Sequence, residues 1–495
     1  RFPKVKGLYD KREDIGRNVS NVKSHYVVYK AQSDIQNTLS GLPYPLPRHS
    51  PNFPQKSFSK VLFPLMRFGV RFSYLLPIEP DDVIEDGLLV VEDDTIIYCG
   101  KWRDVEDIPV IDTRPSIGLP TLINTHTHTA MVAYRGLADD LPLFKWLQEY
   151  IWPAEAKTVN EEMIKLAFKL AIAEMVNGGT GAINDMYFFQ EAAAEVMEEI
   201  GFRGLLGEGL IDFPTPSFKK PEEGIKKVEN QLRARNMYKF VRFSVCLHAP
   251  YSCSPELIKT GVDMARDYDV PVHMHVAETL NEVDEITKRY GKRPVEYLES
   301  LGVLSEKFIA AHSVHLNEEE INIYAERGVK VAHDPQSNMK LSSGIAPVDE
   351  YLNRGITVGL ATDGAASNND LDMFEEMRTA ALLHKVRTMN PEVMDAKTVV
   401  KMATIEGAKV IGFDDIIGSL KVGKKADFIA VSLDSPHMQP VYDPYSHLVY
   451  VAKSSDVKWV FIDGKPLKKD GKLTFISDEE IRDIGKKLKE MVLGG

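Results

Sequence analysis

From Leu119 onward the chain repeats one pattern: a short apolar, β-branched run followed by an amphipathic stretch with helical spacing. Candidate strands fall at 121–125, 181–186, 203–210, 241–247, 270–276, 308–311, 329–333 and 357–361. Between the first two, Ile164, Ala167, Phe168, Ala171, Ile172 and Met175 recur on one helical face until Gly178-Gly179 stops the run. Ser254-Pro255-Glu256 opens another helix in the order N-cap, then Pro at the first helical position. Eight strands, each followed by a helix, over about 290 residues fit a (β/α)8 barrel better than a doubly wound sheet. No Gly-rich phosphate loop follows the first strand, which also disfavours a dinucleotide fold.

Strand patterns recur on both flanks. Residues 67–76, 87–91 and 95–98 precede the barrel, with Asp93-Asp94 as a hairpin turn; 418–433 and 459–467 follow it, with Asp463-Gly464 as a turn. The expected fold is therefore α/β. A (β/α)8 barrel spans 119–411, and a small β-sandwich is built from segments on both sides of it, 66–118 and 412–475. A charged amphipathic helix at 478–493 lies in the closing segment 476–495. Residues 1–65 read as a poorly ordered basic leader, and Pro43, Pro45, Pro47, Pro51 and Pro54 make 41–56 an extended linker.

Composition narrows the function classes. The 495 residues are 44% hydrophobic and 27% charged, as in ordinary globular proteins. No run approaches ~18 consecutive apolar residues, so a membrane span is not expected. Cys99, Cys246 and Cys253 are odd in number and far apart, which suits a reducing cytoplasm and not a disulfide framework. Residues 1–65 carry 11 Lys/Arg against 4 Asp/Glu, whereas the rest of a chain of net charge -12 is strongly acidic. An acidic body disfavours a nucleic-acid partner.

Polar residues at the C-terminal ends of barrel strands collect at one mouth. The first candidate strand ends in His126-Thr127-His128, and side chains two apart on a strand share a face. Two imidazoles there make half of a divalent-metal site, although paired histidines also occur in hydrogen-bonded cores. Later strands add His248, then His273, His275 and Glu278, then His312 and His315, His333 with Asp334, and Asp363. His273 lies one layer below His275 and reads as a core residue. His315 reads as locally bonded, and His333 as lining the mouth or bracing its loop. Asp363 is either a ligand or an N-cap, and His248 a pocket residue or a loop brace.

Several of these runs, taken together, resemble the amidohydrolase superfamily, nearest its methylthioadenosine/S-adenosylhomocysteine deaminase and s-triazine chlorohydrolase branch. They are Asn124-Thr125-His126-Thr127-His128, His275 with Glu278, His312-Ser313-Val314-His315-Leu316, Ser337-Asn338-Met339-Lys340-Leu341 and Thr362-Asp363-Gly364-Ala365-Ala366-Ser367-Asn368. The resemblance covers residues from about Met66 onward. It implies one divalent ion, Zn2+ with Fe2+ as the alternative, held by His126, His128, His275 and Asp363. Binuclear relatives add a Lys or Glu on strand four, which 241–247 lacks, so a single ion is expected.

By the same resemblance Asp363 takes the proton of the attacking water, His312 orients that water, and Glu278 carries protons to the ring and the leaving amine. Trp146, Glu155, His248 and Glu278 would hold the substrate. The implied activity is hydrolytic deamination of an adenine-type nucleoside: methylthioadenosine, adenosine, 5'-deoxyadenosine or S-adenosylhomocysteine. Glu208 stands where relatives that accept S-adenosylhomocysteine carry an Arg, and repulsion of the substrate's carboxylate favours uncharged 5'-substituents. Alternatives are an s-triazine hydrolase or a guanine deaminase with the same site and, from another class, a non-catalytic interaction protein. A small-molecule substrate is the expected partner, and a homo-oligomer is compatible with the sequence.

Overall fold

The computed structural model describes residues 67–494. The leader 1–65, its Pro-rich stretch and Met66 lie outside the described residues. The first five strands are β1 (Arg67–Leu75), β2 (Ile84–Glu92), β3 (Thr95–Lys101), β4 (Val110–Asp112) and β5 (Ser116–Pro120). The barrel strands follow: β6 (Leu122–Thr127), β7 (Thr180–Tyr187), β8 (Arg203–Leu210), β9 (Val241–Phe243), β10 (Val245–Leu247), β11 (Val272–Val276), β12 (Phe308–His312), β13 (Lys330–His333) and β14 (Val358–Leu360). Then come β15 (Phe428–Ser432), β16 (Val457–Ile462), β17 (Lys465–Lys469) and β18 (Lys472–Leu473).

Strands β6 to β14 pair in parallel in chain order, with β9 and β10 as two pieces of the fourth strand. The sheet closes between its first and last strands through side chains and one backbone bond just beyond β14. Asn124 Nδ2 donates to Thr362 Oγ1 at 2.7 Å, Thr125 Oγ1 to the Leu360 carbonyl at 2.9 Å, and the Asp363 amide to the His126 carbonyl at 3.1 Å. Inside, Ile123, Ala182, Leu205, Ile309, Ala311, Ala332 and Ala361 share one buried cluster with Phe413 and Ile417. Residues from five strands and from the end of a sixth can meet only in the barrel's interior, so Phe413 and Ile417 plug its floor.

The flanking strands form one nine-stranded sheet, mostly antiparallel, ordered β18-β17-β16-β15-β5-β1-β2-β3 with β4 on β1. It curls around its own core: Phe68 on β1 lies 5.8 Å from Phe461 on β16, three strands away, with Phe72 and Phe428 also buried there. In a flat sheet those strands would stand about 14 Å apart. Arg203 joins barrel to sheet. Completely enclosed at the start of β8, it donates to Asp427 at 2.5 and 3.1 Å and also pairs with Asp463 in the β16–β17 turn. The C-terminal helix Asp478–Gly494 buries Ile484 and Leu488, and its Glu480 meets Lys169 of helix Glu161–Asn177 at 2.5 Å.

Three expectations shift. The strand expected over 418–433 reduces to β15, because Gly418 and Gly423 adopt φ of 87° and 94° and turn the chain. Leu119 and Pro120 end β5 in the flanking sheet, so the barrel's first strand starts at Leu122. The fourth strand is interrupted at Ser244, whose amide still bonds the Leu206 carbonyl at 2.9 Å. Among the described residues no helix is long and apolar enough to cross a membrane.

Removing one member of a buried ion cluster strands the others without a partner. Arg203→Ala should lower unfolding free energy by about 3–5 kcal/mol, read from urea denaturation, whereas an exposed pair such as Arg266–Asp263 should contribute less than ~1 kcal/mol.

Candidate active site

The parallel barrel brings the strand ends together, and at the ends of β6, β11, β12 and β14 the chain breaks its regular geometry. The β6–β7 pairing slips between Asn124 and Thr127, a bulge that changes which side chains face inward. Ile123 belongs to the interior cluster, and His126, an odd number of residues later, also points inward. Ala277, His312, Ser313 and Asp363 adopt positive φ of 51°, 65°, 48° and 59° just where their strands end. Non-glycine residues held there are uncommon and concentrate at functional sites.

His128 Nδ1 donates to the Met186 carbonyl at 2.5 Å, and His275 Nδ1 to the His248 carbonyl at 2.6 Å. A carbonyl only accepts, so each Nδ1 carries the proton and each Nε2 presents a lone pair. Those two Nε2 atoms lie 3.2 Å apart, and two lone pairs at that distance repel unless a cation or proton lies between them. His126 Nδ1 meets His273 Nε2 at 3.0 Å, leaving the enclosed His126 Nε2 without a hydrogen-bond partner. Burial pushes His126 down to about 3 and His275 well below the ordinary imidazole value, favouring neutral rings with free lone pairs.

Asp363 completes the group. Its Oδ2 accepts from Ser337 and Ser367 at 2.7 and 2.6 Å, which turns Oδ1 toward His126 Nε2 at 3.5 Å and His128 Nε2 at 3.3 Å. Burial opposes its charge, but the imidazoles around it outweigh burial and hold the carboxyl well below its usual range. The side chain is thus spent on serines and the histidine cluster, not on capping a helix. A tetrahedron with metal–ligand bonds of 2.0–2.1 Å has edges of about 3.3–3.4 Å, and the separations of 3.2, 3.3 and 3.5 Å fit it. The donor set of three imidazoles and one carboxylate suits a divalent ion such as zinc. The fourth strand brings no Lys or carboxylate here.

Two further groups face the cluster. His312 Nδ1 donates to Asn338 Oδ1 at 3.0 Å, with Asp334 Oδ2 at 3.5 Å and Glu278 Oε2 at 3.9 Å from Nε2. Burial would lower His312, but Glu278, Asp334 and Asp363 together push it up to about 9. Glu278 accepts from Ser343 Oγ at 3.1 Å, and burial raises its carboxyl. Its backbone is pinned by Glu282, which accepts from the Ala277 and Glu278 amides at 2.8 and 2.9 Å.

His128, His248, His275, Glu278, His312 and Asp363 line one cavity of about 440 Å3 with Trp146 and Glu155. Both of the last come from the helical segment between Leu143 and Thr158, so Trp146 is at once packed and exposed to the cavity. Glu155 accepts from Tyr187 Oη at 2.6 Å, and burial raises it to about 7. His248 Nδ1 bonds Ser252 Oγ at 2.7 Å. His273 is a core residue as expected, whereas His315 bonds not locally but to the Ser343 carbonyl, at 2.6 Å and 28 positions along the chain. His333 lies beneath the mouth, paired with His384 at 3.1 Å.

Glu208 behaves differently from its expected role. It is fully buried, absent from the cavity wall, and accepts from the Phe189 and Gln190 amides at 3.2 Å each, with Lys227 3.5 Å away. A carboxylate spent on those donors cannot repel a substrate, so the argument against charged 5'-substituents lapses. Sequence reasoning gave no role to Asn338, Asp334, Tyr187 or Glu282. Only Asn338 and Asp334 carried a signal, by standing inside the matched run and beside a strand-end histidine.

Comparison with known proteins agrees with this geometry. Residues 117–467 match the amidohydrolase family. The chain is 44% identical to a 5-methylthioadenosine/S-adenosylhomocysteine deaminase of Thermodesulfovibrio yellowstonii, over 84% of this chain and 96% of the relative. It is 42% identical to a 5'-deoxyadenosine deaminase of Methanopyrus kandleri, over 82% and 95%. An adenosine deaminase structure from Xanthomonas campestris with bound zinc superimposes with a TM-score of 0.85 at 36% identity, over 86% of this chain and 99% of that one. An atrazine chlorohydrolase from Arthrobacter aurescens complexed with zinc gives 0.80 at 25%, over 85% and 100%.

The buried Glu155 has a measurable cost. Its carboxyl stays protonated in the fold up to about pH 7, while in the unfolded chain it ionises near 4.5, so stability falls as pH rises through that window. Glu155→Gln should remove about 3 kcal/mol of that decline, seen as a flatter stability–pH curve in denaturant titrations between pH 4.5 and 7.

Proposed function

Since the chain belongs to the amidohydrolase family, we propose that it is a metal-dependent hydrolytic deaminase of an adenine-type nucleoside. The observation that supports this reading is the convergence of the His128 and His275 Nε2 lone pairs, the unpartnered His126 Nε2 and a carboxylate oxygen of Asp363, with an acid and a histidine facing them across a nucleoside-sized cavity. The names of relatives that match along nearly their whole length support it, and the zinc bound by the adenosine deaminase structure supports zinc as the ion.

His126, His128, His275 and Asp363 would hold that ion. When bound, it supplies a nucleophile at neutral pH by lowering the pKa of water from 15.7 to about 7. The protein's side chains do the rest. Asp363, kept ionised and oriented by Ser337 and Ser367, accepts the proton of the attacking water. His312, fixed by Asn338 with Nε2 toward the cavity, orients that water and balances charge on it.

Glu278, raised by burial, remains a proton donor closer to neutral pH than an exposed carboxyl. It would protonate the ring nitrogen so that the adjacent carbon accepts the water oxygen; the proton taken up by Asp363 would then pass to the amino group, which leaves as ammonia, while the ionised Glu278 takes the proton of the newly attached hydroxyl as the carbonyl forms. Trp146, Glu155 and His248 line the nucleoside's side of the cavity.

Purified protein should contain about one equivalent of zinc per chain and release ammonia from methylthioadenosine, adenosine, 5'-deoxyadenosine or S-adenosylhomocysteine. Glu278→Gln should keep the metal, measured by elemental analysis, and lose about 10²–10⁴-fold in turnover. Chloride release from an s-triazine without ammonia release from any nucleoside would reverse the assignment.

A further inference from the structure

The three candidate histidine ligands differ in what holds their Nδ1 atoms. His128 and His275 each donate directly to a backbone carbonyl. His126 instead meets a side chain: its Nδ1 lies 3.0 Å from Nε2 of His273, which is completely enclosed one layer below the mouth. The other ring nitrogen of His273 faces Cys246 Sγ at 3.8 Å, and that sulfur lies 3.5 Å from Ser244 Oγ. Ser244 Oγ in turn reaches the Leu206 carbonyl at 3.5 Å. All of these side chains are buried. The space they occupy depends on Gly207 of β8, where any side chain would collide with Cys246 Sγ. Cys246 and His273 are paired neighbours across β10 and β11, and Ser244 sits at the break between β9 and β10.

Resting on the metal site of the deaminase reading above, we propose that His273 is a positioning residue for that site: through a buried donor chain running from His126 by way of Cys246 and Ser244 to the Leu206 carbonyl, it holds His126 in the one tautomer that can ligate. The direction of each bond follows from the two ends. An imidazole that offers Nε2 to a cation carries its proton on Nδ1, so His126 donates and His273 Nε2 accepts. A neutral His273 then holds its own proton on Nδ1 and donates it to sulfur. Burial pushes the Cys246 thiol up to about 12, so the sulfur keeps a proton to donate to Ser244 Oγ. The serine hydroxyl ends the chain on a carbonyl, which only accepts. Asp363 Oδ1, 3.5 Å from His126 Nε2, would favour the opposite tautomer with the proton between them, and an acceptor at Nδ1 opposes it. Each Nδ1 proton is thus referred to a backbone carbonyl, directly for His128 and His275 and through three side chains for His126. Outer partners of this kind fix the ring of a ligating histidine and raise its basicity.

The test measures zinc affinity of the full chain by competition with a chelator. His273→Leu, which removes the acceptor, should bind zinc about 10–100-fold more weakly than the wild type. His273→Gln, whose side-chain carbonyl can accept from His126 Nδ1, should recover most of that loss, and Cys246→Ala should lose less than His273→Leu. A nitrogen-15 spectrum of zinc-bound wild-type protein labelled at histidine gives a readout that does not depend on His273→Leu folding: the His273 ring, identified by its absence from His273→Gln, should carry its proton on Nδ1. Zinc affinity of His273→Leu within about twofold of wild type, a His273→Gln variant as weak as His273→Leu, or a His273 proton on Nε2 overturns the proposal. Zinc-loaded protein that shows the expected tautomer and affinity series but releases ammonia from no nucleoside upholds the role of His273 and sinks the deaminase reading alone.

Discussion

The mouth of the barrel is organised by two backbone carbonyls. Those of Met186 and His248 each take the proton of one imidazole Nδ1, which obliges His128 and His275 to aim bare Nε2 atoms at each other across 3.2 Å. Left alone, that arrangement is repulsive, and burial denies His275 the easy remedy of protonation. The fold therefore carries a local demand for positive charge at one point. Asp363 sharpens it by bringing a carboxylate oxygen to the same point while its other oxygen is tied to two serines. A divalent ion satisfies the demand, and a preformed set of ligands is what lets binding proceed without reordering the site.

Holding that demand in place is the work of the barrel's other end and of its seam. The plug of Phe413 and Ile417 fills the floor, and the Arg203 cluster ties that floor to the flanking sheet. Between β6 and β14, side chains of Asn124 and Thr125 and the backbone bond from the Asp363 amide to the His126 carbonyl make the closure. This seam separates the two histidines of β6 from Asp363 just after β14, so the weakest joint of the sheet is also where three of the four candidate ligands meet. Asn124 bonds Thr362 through both its amide nitrogen and its carbonyl oxygen, at 2.7 and 3.1 Å, which sets the distance across the joint. Stability thus gathers at the floor and chemistry at the rim, the usual division of labour in this architecture.

The strand ends were legible because two physical periodicities are simple. Alternation of strand and helix fixes the barrel, and a parallel barrel brings the ends of its strands together whatever their separation in sequence. That places His126, His128, His275, His312, Glu278 and Asp363 at one mouth together with other strand-end histidines; which of them would serve as ligands or proton carriers was implied by the resemblance alone. What escaped was set by local irregularity. The bulge in β6 leaves no mark in composition, yet it reverses the facing of the histidines relative to Ile123. The direction of Glu208 depends on two amides at the start of helix Gln190–Ile200, which only the folded chain brings near. Residues 418–427 look strand-like apart from glycines whose positive φ turns them into a loop. Trp146 and Glu155 could be ranked only by resemblance, since a helical tryptophan packs equally well with or without a ligand.

The chemistry at the rim is not specific to one leaving group, which explains why a likeness to both an adenosine deaminase and an atrazine chlorohydrolase can arise from one scaffold. In the proposed mechanism, generating a nucleophile draws on the cation site and Asp363; expelling ammonia additionally requires protons delivered to the ring and to the amine. Chloride leaves as an anion and needs no such delivery to itself. In the proposed mechanism the buried Glu278, held by Ser343 and facing His312 at 3.9 Å, is the group that would meet the demand of the harder leaving group. Substrate choice is then left to walls that come from loops and the 143–158 helical segment, elements that can change without disturbing the seam or the floor. In this chain those walls are aromatic around Trp146, Trp152, Phe213 and Tyr251, a surface suited to stacking a flat heterocycle and to screening its reaction from bulk water.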